Sequence, residues 1–112
     1  MNLFFDNRHD WEAAITSGRK VHTVRKFISR IRPGSPLTMI TNRYTGRRTI
    51  ARQTCTRIQA VTVANGAVMV DGNPIAPDTF ARNGGFNNTD EMFAYYGNLD
   101  GYLIHWTDLE YE

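Results

Sequence analysis

The chain has 112 residues, 41% of them hydrophobic and 21% charged, a balance that fits one globular domain and excludes a disordered chain. No apolar run approaches the ~18 residues of a membrane span, and "MNLFFDNRHD" lacks the basic and apolar regions of a secretion signal. A lone Cys55 excludes an intramolecular disulfide and a multi-cysteine zinc site. The expectation is a cytoplasmic protein.

Residues 2–6, "NLFFD", read as an opening strand. "DNRHDWEAAITSG" (6–18) reads as a helix with Trp11, Ala14 and Ile15 on one face, Asp6 or Asn7 at its start and Gly18 at its end. "KVHTVRKF" (20–27) is a strand candidate, and "ISRIRPGSP" (28–36), with two prolines and a glycine, is a loop. "LTMIT" (37–41) and "RRTIARQTCTRIQAVTVA" (47–64) carry strand residues, with "NRYTGR" as the hairpin turn between them. So long a second segment needs a bend or bulge to stay compact. Asn65-Gly66 and Asp71-Gly72 are turn signals around the short strand "AVMV".

"NNTDEMFAYYG" (87–97) reads as a second helix: Asn88 and Glu91 have capping-box spacing, Met92, Phe93 and Tyr96 face the core, and Gly97 ends it. "YLIHW" (102–106) is apolar on both faces, as a central strand is. The order predicts one α+β domain over residues 1–112, mostly antiparallel, curled into a small barrel with two main helices.

Charge is segregated along the chain. Eleven of the thirteen basic residues lie between Arg19 and Arg57, no acid falls between Glu12 and Asp71, and eight acids follow from Asp71 onward. Eleven of the thirteen are arginines, whose planar fork suits phosphates and stacks on bases. This pattern points to a polyanion-binding face, against the simpler reading of a solvated charged surface. Within it, Arg43, Tyr44, Arg47 and Arg48 at the hairpin tip can hold phosphate oxygens and an unstacked base.

Gly18-x-Lys20 followed by Thr23 and Arg25 resembles the signature of the ASCH domain, a branch of the PUA-like superfamily. "RPGSPL" (32–37), "FARNGGFNNTDEMFAYYG" (80–97) and "GYLIHW" (101–106) resemble further family motifs, in the expected order over nearly the whole chain. The resemblance implies a PUA-like β-barrel with a cleft between barrel and helices, and RNA or a modified nucleoside as ligand. Some small members remove the acetyl group from acetylated cytidine with a lysine and a threonine matching Lys20 and Thr23, plus a glutamate ahead of the second helix. Two positions depart from the pattern: that glutamate falls at Gly84, and the family's Gly-Asp is Gly34-Ser35.

The chemistry open to this stretch is specific. A dry cleft with Arg25 nearby would depress the Lys20 pKa, so that its amine takes the Thr23 proton while Arg25 steadies the oxyanion or holds a phosphate. The competing reading makes Thr23 a strand residue and Lys20 and Arg25 surface charges. In a regular strand Lys20 and Thr23 fall on opposite faces, so they meet only if Lys20 belongs to the turn after Gly18. His9, His22 and His105 lack metal-ligand spacing, so no metal is expected; His105 and Cys55 read as core residues. No cofactor is implied. The expected partner is RNA or a nucleoside derivative, with an amidohydrolase or ribonuclease as the enzymatic alternative. A protein partner or self-association through the acidic C-terminal third is a further one.

Overall fold

The computed structural model describes residues 1–42 and 45–112; the predicted site residues Arg43 and Tyr44 lie outside the described residues. Among the described residues, eight strands and three helices follow in the order β1 (Asn2–Phe4), α1 (Trp11–Thr16), β2 (His22–Arg25), β3 (Pro36–Thr41), β4 (Arg48–Thr54), β5 (Arg57–Ala64), β6 (Ala67–Val70), β7 (Asn73–Ile75), α2 (Pro77–Asn83), α3 (Thr89–Tyr96) and β8 (Leu99–His105). The α+β class and the mostly antiparallel pairing are as expected; a closed barrel is not found among the described residues. Strands pair as two sheets, β1-β3-β4 and β2-β8-β5-β6-β7, and among the described residues no pairing closes a ring. The β1–β3 pair is parallel and the others are antiparallel.

The long segment 47–64 explains the split. It breaks at Cys55-Thr56 into β4 and β5, which belong to different sheets. Cys55 N–H still donates to Ser35 O at 2.8 Å, whereas Thr56 N–H donates to His105 O at 2.9 Å, so the chain changes sheet within one residue. Cys55 is buried at that corner, a small apolar side chain where the two sheets diverge. β8 runs between β2 and β5, the central position that "YLIHW" predicts; Leu103, Ile104 and His105 are fully buried there, whereas Tyr102 is exposed.

Both Asn65-Gly66 and Asp71-Gly72 have positive φ at each residue, the turn whose twist suits a two-residue hairpin. α3 starts on Asn88, whose side chain accepts from Glu91 N–H at 2.8 Å; Glu91 returns its carboxylate to Asn87 rather than to the cap. α1 departs from expectation. Its cap is Asp10, accepting from Ala13 N–H at 3.1 Å, because Asp6 is taken by Arg8, Trp11 and Tyr95. α2 was not expected: Pro77, readable as a turn residue, stands at the helix start, where its missing N–H costs nothing. Phe80 and Ala81 of α2 and Met92 of α3 share one buried core with Val61, Val63, Val68, Val70 and Leu103 of the larger sheet.

Candidate ligand-binding site

Gly18, at φ +80°, ends α1 and turns the chain back so that Lys20 N–H reaches Ala14 O at 2.8 Å. Lys20 and Gly84 then form an isolated antiparallel bridge ahead of β2, so Lys20 does belong to the connection rather than to the strand. Its stem passes over Gly85, where a Cβ would stand 2.9 Å from Lys20 Cβ; the glycine makes the room. The Nζ donates to Gly84 O at 2.8 Å and lies 4.5 Å from the Trp11 ring centroid, with Phe5 and Phe86 each at 5.9 Å. Lys20 is 1% exposed. This burial, with Arg25 adding to it, pushes the amine well below its ordinary pKa.

Thr23 is buried on β2 and its Oγ1 accepts from Arg25 Nη1 at 2.8 Å. Arg25 also donates from Nη1 to Val24 O at 3.0 Å and from Nη2 to Phe4 O at 2.9 Å, and its guanidinium stacks 4.8 Å from the Phe5 ring centroid. Thus Thr23 serves to hold Arg25, and Lys20 is turned toward Gly84. Among the described residues no hydrogen bond joins Lys20 to Thr23, and no carboxylate forms an ion pair with Lys20. Glu12 pairs with Arg48 and Glu91 with His9, so neither of these acids stands in for the glutamate missing at Gly84.

Arg25 opens instead onto a hollow of about 450 Å³, within the range of small-molecule sites. Phe4, Phe5 and Tyr95 form its apolar walls, and Asp6, Asn7, Asn42 and Thr45 its polar part. Asp6 accepts from Tyr95 Oη at 2.8 Å, Arg8 Nε at 3.0 Å, Arg8 N at 3.1 Å and Trp11 Nε1 at 3.3 Å. Burial alone would raise its pKa, yet these donors together lower it to about 2. Arg8 covers Tyr95 at 4.1 Å from the ring centroid, and Arg47 stands 5.1 Å from that of Phe4.

The arginine-rich middle does not converge on this one concavity. Arg25 lines it and Arg47 stacks on Phe4, one of its walls; Arg48, paired with Glu12, lines a neighbouring notch. Arg30 and Arg32 border a separate hollow, Lys26 another, and Arg57 donates to Leu109 O at 3.0 Å and faces Glu110. A sheet spreads consecutive side chains over two faces, and the change of sheet at Cys55 sends β4 and β5 apart, so nearness in sequence did not become nearness in space. Sequence reasoning missed Phe4, Phe5, Asp6 and Tyr95 as site residues. The available signal was a carboxylate directly after two aromatics, which was assigned to a helix cap.

The two other histidines are core residues, as His105 was expected to be. His22 and His105 are opposite each other across β2 and β8, both fully buried. His22 Nε2 meets Tyr111 Oη at 2.7 Å and His105 Nε2 meets Gln59 Oε1 at 2.9 Å. Burial, then Lys20 and His105, holds His22 well below its ordinary pKa; burial, then Arg57, lowers His105 to about 4. Among the described residues no cluster of three His, Cys, Asp or Glu side chains could hold a metal, and no helix is long and apolar enough to cross a membrane.

Comparison with known proteins finds no matching family model, curated protein or solved structure.

Proposed function

We propose that the chain is an ASCH-type, PUA-like cytoplasmic module that binds a nucleoside or an unpaired base of RNA in the hollow beside Arg25. The reading is carried by one observation: a guanidinium anchored by three protein oxygens faces a hollow of about 450 Å³ walled by aromatic rings. Aromatic walls suit the flat faces of a base, worth about 1–3 kcal/mol per stacked base, and a fixed arginine suits its polar edge or a phosphate. Arg47, stacked on Phe4, supplies a cation for the backbone outside.

The test is a titration with nucleosides and short single-stranded RNA at several salt concentrations, followed by the resonances of Phe4, Phe5 and Tyr95. RNA affinity should fall with salt, with a slope of only about one or two phosphates because few arginines reach the hollow. Absence of binding at low salt, or shifts confined to other surfaces, would refute the reading.

The hydrolytic alternative rests on the depressed pKa of Lys20. It requires that amine to leave Gly84 O and meet the substrate. Deacetylation of acetylated cytidine by the wild type that survives unchanged in Lys20→Ala would remove it.

A further inference from the structure

The hydrogen-bonding inventory of the hollow bears on which base it takes, an inference that rests on the nucleoside-binding reading above. An arginine has five N–H donors. Arg25 gives three to Thr23 Oγ1, Val24 O and Phe4 O, which fixes its plane against Phe5. The Nε–H and one Nη2–H have no partner among the described residues, and no carboxylate there forms an ion pair with this cation. Two donors on neighbouring nitrogens are therefore left for a ligand.

The strongest acceptor of the hollow, the Asp6 carboxylate, is in the opposite condition. A carboxylate has about four lone-pair positions, and Asp6 already receives Arg8 N–H, Arg8 Nε–H, Trp11 Nε1–H and the Tyr95 hydroxyl. Asn7 Oδ1 already receives the Thr41 hydroxyl at 3.0 Å, and the remaining acceptors of the lining, on Asn42 and Thr45, are neutral. A base whose amino group lies beside N7 would set that group against the Arg25 cation, donor facing donor, and find the Asp6 carboxylate occupied, and a polar group desolvated without a partner is costly. A ligand that brings two adjacent acceptors meets two waiting donors.

Among the bases, adenine sets an amino group beside N7 and cytosine carries one at N4, whereas guanine presents O6 and N7 side by side, the pair that arginine binds with two hydrogen bonds. We infer that the hollow beside Arg25 selects a 6-oxopurine, with O6 and N7 received by the free Nε–H and Nη2–H of Arg25.

The test uses the native protein and alters the ligand, because Arg25 also ties β1 to β2 and its replacement can unsettle the fold. Dissociation constants are measured by calorimetry for guanosine, inosine, adenosine, cytidine and 7-deazaguanosine, which has carbon in place of N7. Guanosine and inosine should bind alike, and adenosine, cytidine and 7-deazaguanosine about tenfold or more weakly. Equal binding of all five would overturn the oxopurine assignment while leaving a nucleoside site in place. Inorganic phosphate displacing guanosine as effectively as guanosine monophosphate does would also overturn it, by assigning the two donors to a phosphate. No binding by any of them would remove the functional reading on which it rests.

Discussion

Replacing Lys20 by methionine keeps an unbranched side chain of similar length in the box of Trp11, Phe5 and Phe86 and removes the amine. Two effects oppose each other at Nζ. The indole face 4.5 Å away attracts a cation by up to about 2 kcal/mol, while burial to 1% exposure and the nearby Arg25 disfavour charge. Burial is the largest influence, so the folded pKa lies well below the ordinary 10.5. The sign follows from proton counting. Between the folded pKa and 10.5 the unfolded chain holds a proton that the native state does not, so stability rises with pH. Inside that window one group contributes about 1.4 kcal/mol per pH unit; below it both states are protonated and the slope vanishes. Tyr95, Tyr96 and Tyr111 have raised pKa values and act oppositely above about pH 10, so the comparison belongs below pH 9.5. Urea unfolding followed by tryptophan fluorescence at half-unit steps from pH 7 should show the wild type gaining on Lys20→Met with a slope approaching that value. The variant also leaves Gly84 O without its donor, an offset of about 1–3 kcal/mol that does not depend on pH. Parallel profiles would refute the reasoning: Trp11 and Gly84 would then be holding an ordinary charged ammonium.

Acid should destabilise the native state through its buried histidines. The unfolded chain takes protons near pH 6.5 that His105, at about 4, and His22, lower than usual, refuse, so stability falls as pH drops below 6.5. His105 alone accounts for about 3 kcal/mol between those values, and His105→Gln, which keeps a donor toward Gln59, should lose that part of the slope in an acid titration by circular dichroism. Gly101→Ala should destabilise by about 3 kcal/mol or more in chemical denaturation, because the added Cβ would stand 2.5 Å from Arg25 O, a backbone atom that cannot step aside. Arg47→Gln should weaken RNA binding and lower the salt slope by about one with little change in stability. Arg48→Gln, which breaks only the exposed pair with Glu12, should change both by little; a larger loss of RNA affinity with Arg48→Gln than with Arg47→Gln would move the site to the neighbouring notch.

Local patterns and the tertiary outcome separate cleanly in this chain. Turn chemistry at Asn65-Gly66 and Asp71-Gly72, the Asn88 cap and the doubly apolar "YLIHW" strand were legible because each depends on backbone preferences within a few residues. Burial of His105 was legible from its apolar neighbours, and that of Cys55 from its own small apolar side chain with no histidine beside it in sequence. The α1 cap was misread because Asp6 and Asp10 are equally good caps by type; Asp6 is instead engaged by Arg8 and Trp11 nearby and by Tyr95, eighty-nine residues away in sequence.

The site shows the same division. Amino-acid order alone established an α+β chain with its cations gathered in the middle and Lys20, Thr23 and Arg25 just after the first helix. Only folding decided that Lys20 turns inward to Gly84, that Thr23 holds Arg25, and that Arg25 lines one hollow with Phe4 and Tyr95. The physical reason is range. A cap or a turn is satisfied by neighbours along the chain, whereas a buried donor takes whatever acceptor the packing of distant segments brings within 3 Å.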